Sequence, residues 1–258
     1  AAECPDFVIR APQPRRNTIP RIRRSPVTVE KPVIFFHTNE PIENVRVRVR
    51  FRGGWPWLYW PQARVRRRGL EWRGRITPRD PTEGISRTIH QGRPHPWWDI
   101  LRQVGGARFE TREGSTSDFL FYDGEMPFRP AFTFTRNEGA WVPSRSGAES
   151  KVWIQNGRQL LAYEVAPRQS GADATSHPTN AILGLLRAEL LSRGLLAGEA
   201  DSLLNTWRDD LQPRADRNVQ PRAIYFVDRA SYDHMLPLSI SPRPDELVRV
   251  GLVIEMLR

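Results

Sequence analysis

The stretch VRVRVRFR, residues 45–52, decides how the first half of this chain is expected to fold. Apolar and basic residues alternate along it, and a period of two is typical of a β-strand with one buried and one exposed face. The apolar face carries Val45, Val47, Val49 and Phe51. The other face carries four cations, named here the arginine ladder: Arg46, Arg48, Arg50 and Arg52. The pattern predicts a sheet with a core on one side and positive charges on the other.

The segments around this strand also have the composition of strands. Three of them are VTVEKPVIFF (27–36), LYWPQARV (58–65) and GLEWRGRI (69–76). The last two flank a basic turn that contains Arg66, Arg67 and Arg68. Residues 96–104 carry apolar side chains at helical spacing, and we expect one short helix there.

The second half of the chain predicts more short strands and one pair of helices. The strands are ARFET (107–111), DFLFY (118–122), AFTFT (131–135), KVWIQN (151–156), QLLAYEV (159–165), RAIYFVD (222–228) and DELVRVGLVIEML (245–257). Residues 166–178 are expected to form a loop. Helices over about 179–193 and 198–211, with a short link after Gly194, predict an αα-hairpin.

This order of elements predicts a mainly β protein, with β-sandwich-like sheets and an αα-hairpin inserted in the C-terminal half. We divide the chain into an extended Pro/Arg-rich arm (1–26), a basic β domain (27–110) and a β-rich domain (111–258) that contains the hairpin at about 179–211. The two β domains can also form one continuous unit.

Positive charge is concentrated in the first half. Residues 1–110 hold 22 Lys/Arg and 10 Asp/Glu, whereas the remaining residues hold 17 Lys/Arg and 19 Asp/Glu.

The single cysteine, Cys4, excludes an internal disulfide framework. No apolar run is long enough to span a membrane as a helix. The chain opens with AAEC, and such small residues are typical of the mature N-terminus of an exported protein, so we expect export.

Four blocks of sequence carry a family resemblance. They are KPVIFFHTNEPIENVRVRVRFRGGWPWLYWPQA (31–63), DFLFYDG (118–124), LLSRGLLAGEADSLLNTWRDD (190–210) and IYFVDRASYDHMLPLSISPRPDELVRVGLVIEML (224–257). In order, they resemble the KPVIYFY, EKFLFYRG, NTWRDSWF and LPLxIxP-type motifs of an uncharacterised family of exported bacterial proteins with no known activity. The resemblance implies an exported, periplasmic or envelope-associated, β-rich protein, and it supplies no catalytic residue.

The second block departs from its motif in charge. Where the motif has Glu, Lys and Arg, this chain has Ser117, Asp118 and Asp123. Chemistry that depended on the basic residues of the motif would therefore be lost here. The apolar core of the block and Gly124 are retained.

The carboxylates of this block raise the question of an acidic active site. On one straight strand, Asp118 and Asp123 would be ~17 Å apart at ~3.3 Å per residue, whereas a glycosidase pair needs roughly 5 to 9.5 Å. Asp123 and Glu125 are closer, but the sequence places them in a turn with Gly124. We interpret the block as a core strand that runs into a glycine turn, and we predict no catalytic residue.

The histidines are scattered, and none forms the i, i+4 pair of a helical zinc site, so no metal is expected. No G-x-G-x-x-G or P-loop motif occurs, and no cofactor is expected. A hydrolase centred on Asp123, Glu125 or Asp228 with His234 remains an alternative, although the serines near His234 lack a nucleophile-elbow context.

The arginine ladder is the strongest functional candidate. Its side chains repeat every ~6.6 Å along one face, and repulsion between like charges favours a bound anion or acidic neighbours. The alternative is that the arginines are only solvated.

The aromatic segment GGWPWLYW (53–60) is the second functional candidate. It is apolar on both faces, so it is covered by the protein itself or by a partner. The candidate binding residues are Arg46, Arg48, Arg50, Arg52, Arg66, Arg67, Arg68, Trp55 and Trp57.

Three functions follow from these features. The first is a non-enzymatic exported docking protein, a peripheral subunit of an envelope or membrane complex, that binds an acidic protein, an anionic membrane surface or an acidic glycan. The second is a carbohydrate- or cell-wall-binding module that uses Trp and Arg. The third is an unrecognised hydrolase. Nucleic acid is disfavoured because export is expected and no nucleic-acid-binding motif is present.

Overall fold

The computed structural model describes residues 9–10, 27–29, 32–80, 89–90, 93–94, 96–157, 159–166, 173–212 and 220–257. These residues form several antiparallel sheets and few helices, which confirms the predicted mainly β, sandwich-like fold with an inserted αα-hairpin. The AAEC segment and most of the predicted arm lie outside the described residues. Of the arm, Ile9–Arg10 is described, and it forms a short strand.

The strands are, in chain order, β1 (Ile9–Arg10), β2 (Val27–Val29), β3 (Val33–Ile34), β4 (Ile42–Arg50), β5 (Trp55–Trp60), β6 (Arg64–Arg66), β7 (Gly69–Thr77), β8 (Ile89–His90), β9 (Arg93–Pro94), β10 (Arg108–Thr111), β11 (Thr116–Ser117), β12 (Leu120–Met126), β13 (Phe132–Asn137), β14 (Ala140–Arg145), β15 (Lys151–Asn156), β16 (Gln159–Glu164), β17 (Ala174–Pro178), β18 (Arg222–Val227), β19 (Leu238–Ser241) and β20 (Gly251–Met256). The helices are α1 (Pro96–Arg102), α2 (Ile182–Ser192), α3 (Ala197–Thr206), α4 (Arg208–Leu211) and α5 (Arg229–Met235).

The chain divides into two compact units. The first comprises Ala1–Phe128 and Asp233–Leu247, and the second comprises Arg129–Tyr232 and Val248–Arg258. The first unit extends past residue 110, where the sequence pattern puts the boundary between the two β domains. It does so because β12 pairs with β5 and the late strand β19 pairs with β4.

The arginine-ladder strand, β4, lies inside the first sheet of the first unit. The strand order is β11-β10-β7-β4-β19, and β6 also pairs with β7. The predicted alternation is confirmed, because the apolar side chains of β4 and of its neighbours are buried together on one face. They are Val45, Val47, Val49, Leu70, Trp72, Ile76 and Phe109. The charged side chains of β4 consequently lie on the opposite face.

A second sheet, with the order β1-β5-β12-β2, covers this apolar face. The ring of Tyr122 on β12 lies 6.0 Å from the ring of Phe51 and 6.3 Å from that of Trp72. On its other face, the second sheet packs against α1, where Trp98 lies 5.4 Å from Phe121. The first unit is therefore a β-sandwich with one helix on its outer side, and the second sheet is apolar on both faces as the sequence indicates.

The predicted turn at Gly124 is wrong. β12 continues through Gly124 to Met126, and its register against β5 shifts between Asp123 and Gly124. Strand pairing opposes Asp123 to Leu58 and Gly124 to Pro56, which leaves Trp57 as the extra residue of a bulge. A Cβ atom on Gly124 would overlap Phe51 Cε1 and lie 2.7 Å from Trp55 O. Glycine is needed here for the close approach of neighbouring groups rather than for a turn.

The second unit is built on a sheet of order β17-β16-β15-β18-β20, with α2, α3 and α4 on one face. Its core contains Trp153, Leu160, Ile182, Leu186, Leu190, Ala200, Leu204, Leu211, Ile224 and Phe226. Gly194 has a φ of +93° and ends α2, which confirms the predicted stop. A hairpin of the same unit, β13–β14, contacts this sheet through the rings of Phe132 and Tyr225, 5.2 Å apart.

Three sequence-based assignments in the C-terminal half need correction. Residues 174–178 form an edge strand, β17, instead of a loop, because their backbone pairs with β16 while polar side chains remain outside. The predicted strand over 245–257 is restricted to Gly251–Met256. The second predicted helix is divided at Trp207 into α3 and α4.

Gly124→Ala is predicted to destabilise the protein by about 1 to 3 kcal/mol, because the added methyl group overpacks the core against Phe51. Gly184→Ala in α2 is the matched control, since its Cβ would meet no atom within 4 Å. The control should stabilise by about 0.5 to 1 kcal/mol through helix propensity. Urea denaturation of both variants measures the change, and a neutral Gly124→Ala would contradict the close approach.

Candidate functional site

The structure brings the predicted arginines together on and around the first sheet. Arg46, Arg48 and Arg50 lie on β4, and Arg66 ends β6. Arg67 and Arg68 follow in the exposed turn between β6 and β7, as the sequence predicts. Strand pairing adds two arginines that the sequence analysis did not select, Arg64 and Arg73.

Cross-strand register shows which of these residues share a face. Arg46 is the pairing partner of Arg73, and Arg48 is the partner of Glu71, which also pairs with Arg64 from the other side. Paired residues of neighbouring strands project to the same face of a sheet. The part of the outward face around Glu71, named here the arginine face, consequently contains Arg46, Arg48, Arg50, Arg64, Arg66 and Arg73. The ion pair of Arg75 and Glu110 lies further along the same side of the sheet.

Glu71 is the acidic centre of this face and is buried, with 1% of its side chain exposed. Arg48 donates from Nε to Glu71 Oε2, and Arg73 donates from Nε to Oε1 at 2.7 Å. Arg66 Nη2 lies 3.7 Å from Oε1. Burial alone would raise the pKa of Glu71, but the hydrogen bonds and charges of Arg48 and Arg73 outweigh it and lower the pKa from 4.5 to about 2.

Positive charge remains in excess on the arginine face. Six arginines surround one carboxylate, but only Arg48, Arg66 and Arg73 lie within 4 Å of it. Among the described residues, Arg46, Arg50 and Arg64 have no ion-pair partner. The arginines that contact Glu71 stay accessible, since 42% of the Arg48 side chain, 48% of Arg66 and 38% of Arg73 are exposed. A fixed array of cations of this kind attracts anions.

The other predicted binding residues lie elsewhere in the first unit. Arg52 Nη1 is 3.2 Å from Nδ1 of His234. Trp55 and Trp57 are half-buried in β5, a strand of the second sheet, whereas the arginine face belongs to the first sheet. The structure therefore does not bring these tryptophans together with the arginine face.

The acidic residues weighed for a hydrolase have local partners. Asp118 Oδ1 lies 3.4 Å from Arg108 Nε, and Asp123 accepts a hydrogen bond from the Gly124 amide at 2.8 Å. Asp228 accepts a hydrogen bond from the Ser231 amide at 2.9 Å, which is the position of an N-cap for α5. These contacts bind the carboxylates to neighbouring protein groups and do not form a nucleophile–base pair.

Two features of the second unit were missed by sequence reasoning. Tyr225 donates from its hydroxyl to Glu255 at 2.8 Å, and burial raises the pKa of both groups. A cleft of about 300 Å³ lies between the β13–β14 and β15–β16 hairpins; it is lined by Glu138, Gly139, Ala140, Trp141, Ile154, Asn156, Gln159 and Leu161. Both features depend on the pairing of distant strands and leave no local signal in the sequence.

Within the described part of the chain, no group of three or more His, Cys, Asp or Glu could hold a metal ion. Of the five histidines of the chain, His95 lies outside that part. No helix in the described residues is long and apolar enough to cross a membrane.

The fold and the site together define a mainly β protein with a cationic sheet face centred on a buried glutamate. Comparison of the chain with protein-family models, with curated proteins and with solved structures finds no match.

The low pKa of Glu71 predicts a specific acid sensitivity. An ionised Glu71 stabilises the folded state fully above pH 4.5, and this contribution is lost as the pH falls toward 2. The difference in unfolding free energy between the wild type and Glu71→Gln should therefore shrink over this range. Glu113→Gln, in an exposed turn, is the control for loss of one carboxylate. A difference that stays constant from pH 5 to pH 2 would contradict the ion-pair arrangement.

Proposed function

We propose that this chain is a non-enzymatic docking protein that binds an acidic partner protein through the arginine face. The observation that carries the proposal is the excess of arginine over carboxylate on one ordered sheet face. Six arginines surround a single buried glutamate there, and the side chains of Arg48 and Arg73 stay partly exposed. Guanidinium groups form forked, charge-assisted hydrogen bonds with carboxylates, which gives both affinity and orientation.

The rigid backbone of the sheet supports a docking role. Arg46, Arg48 and Arg50 are spaced by two residues along one strand, and β4 is paired on both sides, by β7 and β19. Their Cα positions are therefore fixed before a partner arrives. A preorganised surface loses less conformational entropy on binding than a flexible basic tail does.

The spacing of the cations favours a protein partner over a membrane. An extended segment with carboxylates at alternate positions repeats every ~6.6 to 6.8 Å, which is the repeat of the arginine ladder itself. Each carboxylate of such a segment can therefore form an ion pair with one arginine of the ladder. Membrane-surface attachment by a helix typically adds apolar or aromatic side chains that enter the interface. The outward positions of β4 and β7 within the arginine face carry Arg and Glu, and none of them carries an apolar or aromatic side chain.

The proposed setting is the bacterial envelope, with the chain exported and acting as a peripheral subunit of a larger complex. This part of the proposal rests on the four sequence blocks that resemble the uncharacterised exported family and on the basic first half of the chain. Membership of that family is proposed on the same blocks.

The double reversal Arg46→Glu and Arg50→Glu is predicted to weaken binding of a fluorescent peptide of alternating glutamate and serine by about tenfold or more, because like charges then face each other. Neither arginine contacts Glu71, so its ion pairs are kept. Arg129→Glu with Arg136→Glu is the matched control, since both residues are exposed, both belong to the second unit and the change in net charge is the same. Fluorescence anisotropy measures the affinity, which should also fall with added salt.

Equal loss in the two double variants would mean that net charge, rather than the arginine face, governs binding. Vesicles of phosphatidylglycerol and phosphatidylcholine test the membrane alternative. If the wild type binds these vesicles but not the peptide, the partner is an anionic membrane and the proposed acidic protein partner is wrong. Binding to neither probe would contradict the proposed function.

A further inference from the structure

Glu71 is unusual for a surface that is proposed to bind anions, because its negative charge opposes that role. It is also the most deeply buried charged group of the arginine face, with 1% of its side chain exposed. Its two oxygens are divided between two arginines, Arg48 on β4 and Arg73 on β7. The arrangement therefore connects neighbouring strands on the outer face of the sheet.

The atoms that make these contacts determine what remains for a ligand. Arg48 and Arg73 each use Nε, the inner nitrogen of the guanidinium group, to donate to Glu71. Each guanidinium group has four further N–H donors, on Nη1 and Nη2. Among the described residues, these Nη atoms have no hydrogen-bond partner. Both side chains are partly exposed, so the forked outer ends remain available to solvent.

We infer that Glu71 is a positioning residue for anion binding: it holds Arg48 and Arg73 by their Nε atoms, so that their Nη atoms form a preformed receptor for a carboxylate of the acidic partner. The inference rests on the proposed function and specifies how the arginine face recognises its ligand. Long arginine side chains have many rotamers, and an arginine that is already held in one of them loses less freedom when it binds.

Positioning and simple charge attraction predict opposite effects of one substitution. Glu71→Gln makes the arginine face more positive by one charge. If the affinity depended on net charge alone, this variant would bind the acidic peptide more tightly. If Glu71 orients the two arginines, the variant binds less tightly, because a neutral amide is a weaker acceptor for two charged donors.

The experiment measures binding of the alternating glutamate–serine peptide to full-length variants by fluorescence anisotropy. We expect Glu71→Gln to weaken binding about fivefold to tenfold in spite of its added positive charge. Glu71→Asp keeps the charge and withdraws the carboxylate by one methylene group, and we expect it to weaken binding as well. The matched control is Glu110→Gln, which removes the same charge from an exposed pair with Arg75 on the same sheet. The control should bind as tightly as the wild type, or more tightly.

The outcomes separate this inference from the proposed function. If Glu71→Gln binds as tightly as the wild type or more tightly, positioning by Glu71 is contradicted, while docking on the arginine face still stands. If the wild type does not bind the peptide, both proposals fail.

A structural effect of the substitution is tested separately. Circular dichroism and thermal unfolding show whether each variant is folded at the temperature of the assay. If Glu71→Gln does not fold, Arg48→Lys tests the preformed receptor instead. This variant keeps the positive charge but removes the Nε donor and the forked guanidinium group. Weaker binding of Arg48→Lys supports the preformed receptor, and unchanged binding contradicts it.

Discussion

Val47 and Trp72 are pairing partners on β4 and β7, and both are fully buried. The rest of the first unit depends on this contact. Because side chains alternate along a strand, burying these two residues commits Arg46, Arg48 and Arg73 to the opposite face. The same apolar side receives Tyr122 of the second sheet, whose ring lies 6.3 Å from that of Trp72. One packing constraint therefore forms the sandwich and also collects the cations on its surface.

The collected cations would repel one another if the face held no carboxylate. Glu71 is placed among them by the register of β7, and its ionised side chain accepts hydrogen bonds from Arg48 and Arg73. This single carboxylate relieves part of the repulsion, yet it leaves arginines in excess. The docking proposed here would use this excess of positive charge on a sheet whose backbone is already ordered.

The sequence allowed prediction of features that depend on local periodicity. The alternation in residues 45–52 predicted both the buried valines and the outward arginines, and helical spacing predicted the α2–α3 hairpin. Features that depend on pairing between distant strands could not be predicted. Glu71 lies opposite Arg48 only because β4 and β7 pair in one register. Gly124 resembled a turn residue because the Phe51 ring that needs its space comes from a distant part of the sequence, immediately after β4. The edge strand β17 was missed because its polar residues pair only through the backbone.

The arginine face itself is tested most directly by NMR of the arginine Nε–H groups during titration with an acidic peptide. We expect the Arg48 and Arg73 signals to be protected from exchange with water in the free protein, since both Nε atoms donate to Glu71. On addition of the peptide, signals of Arg46, Arg48, Arg50 and Arg73 should shift together, while those of Arg136 and Arg243 should not. Shifts spread evenly over all exposed arginines, or confined to arginines outside this face, would contradict a docking surface on the first sheet.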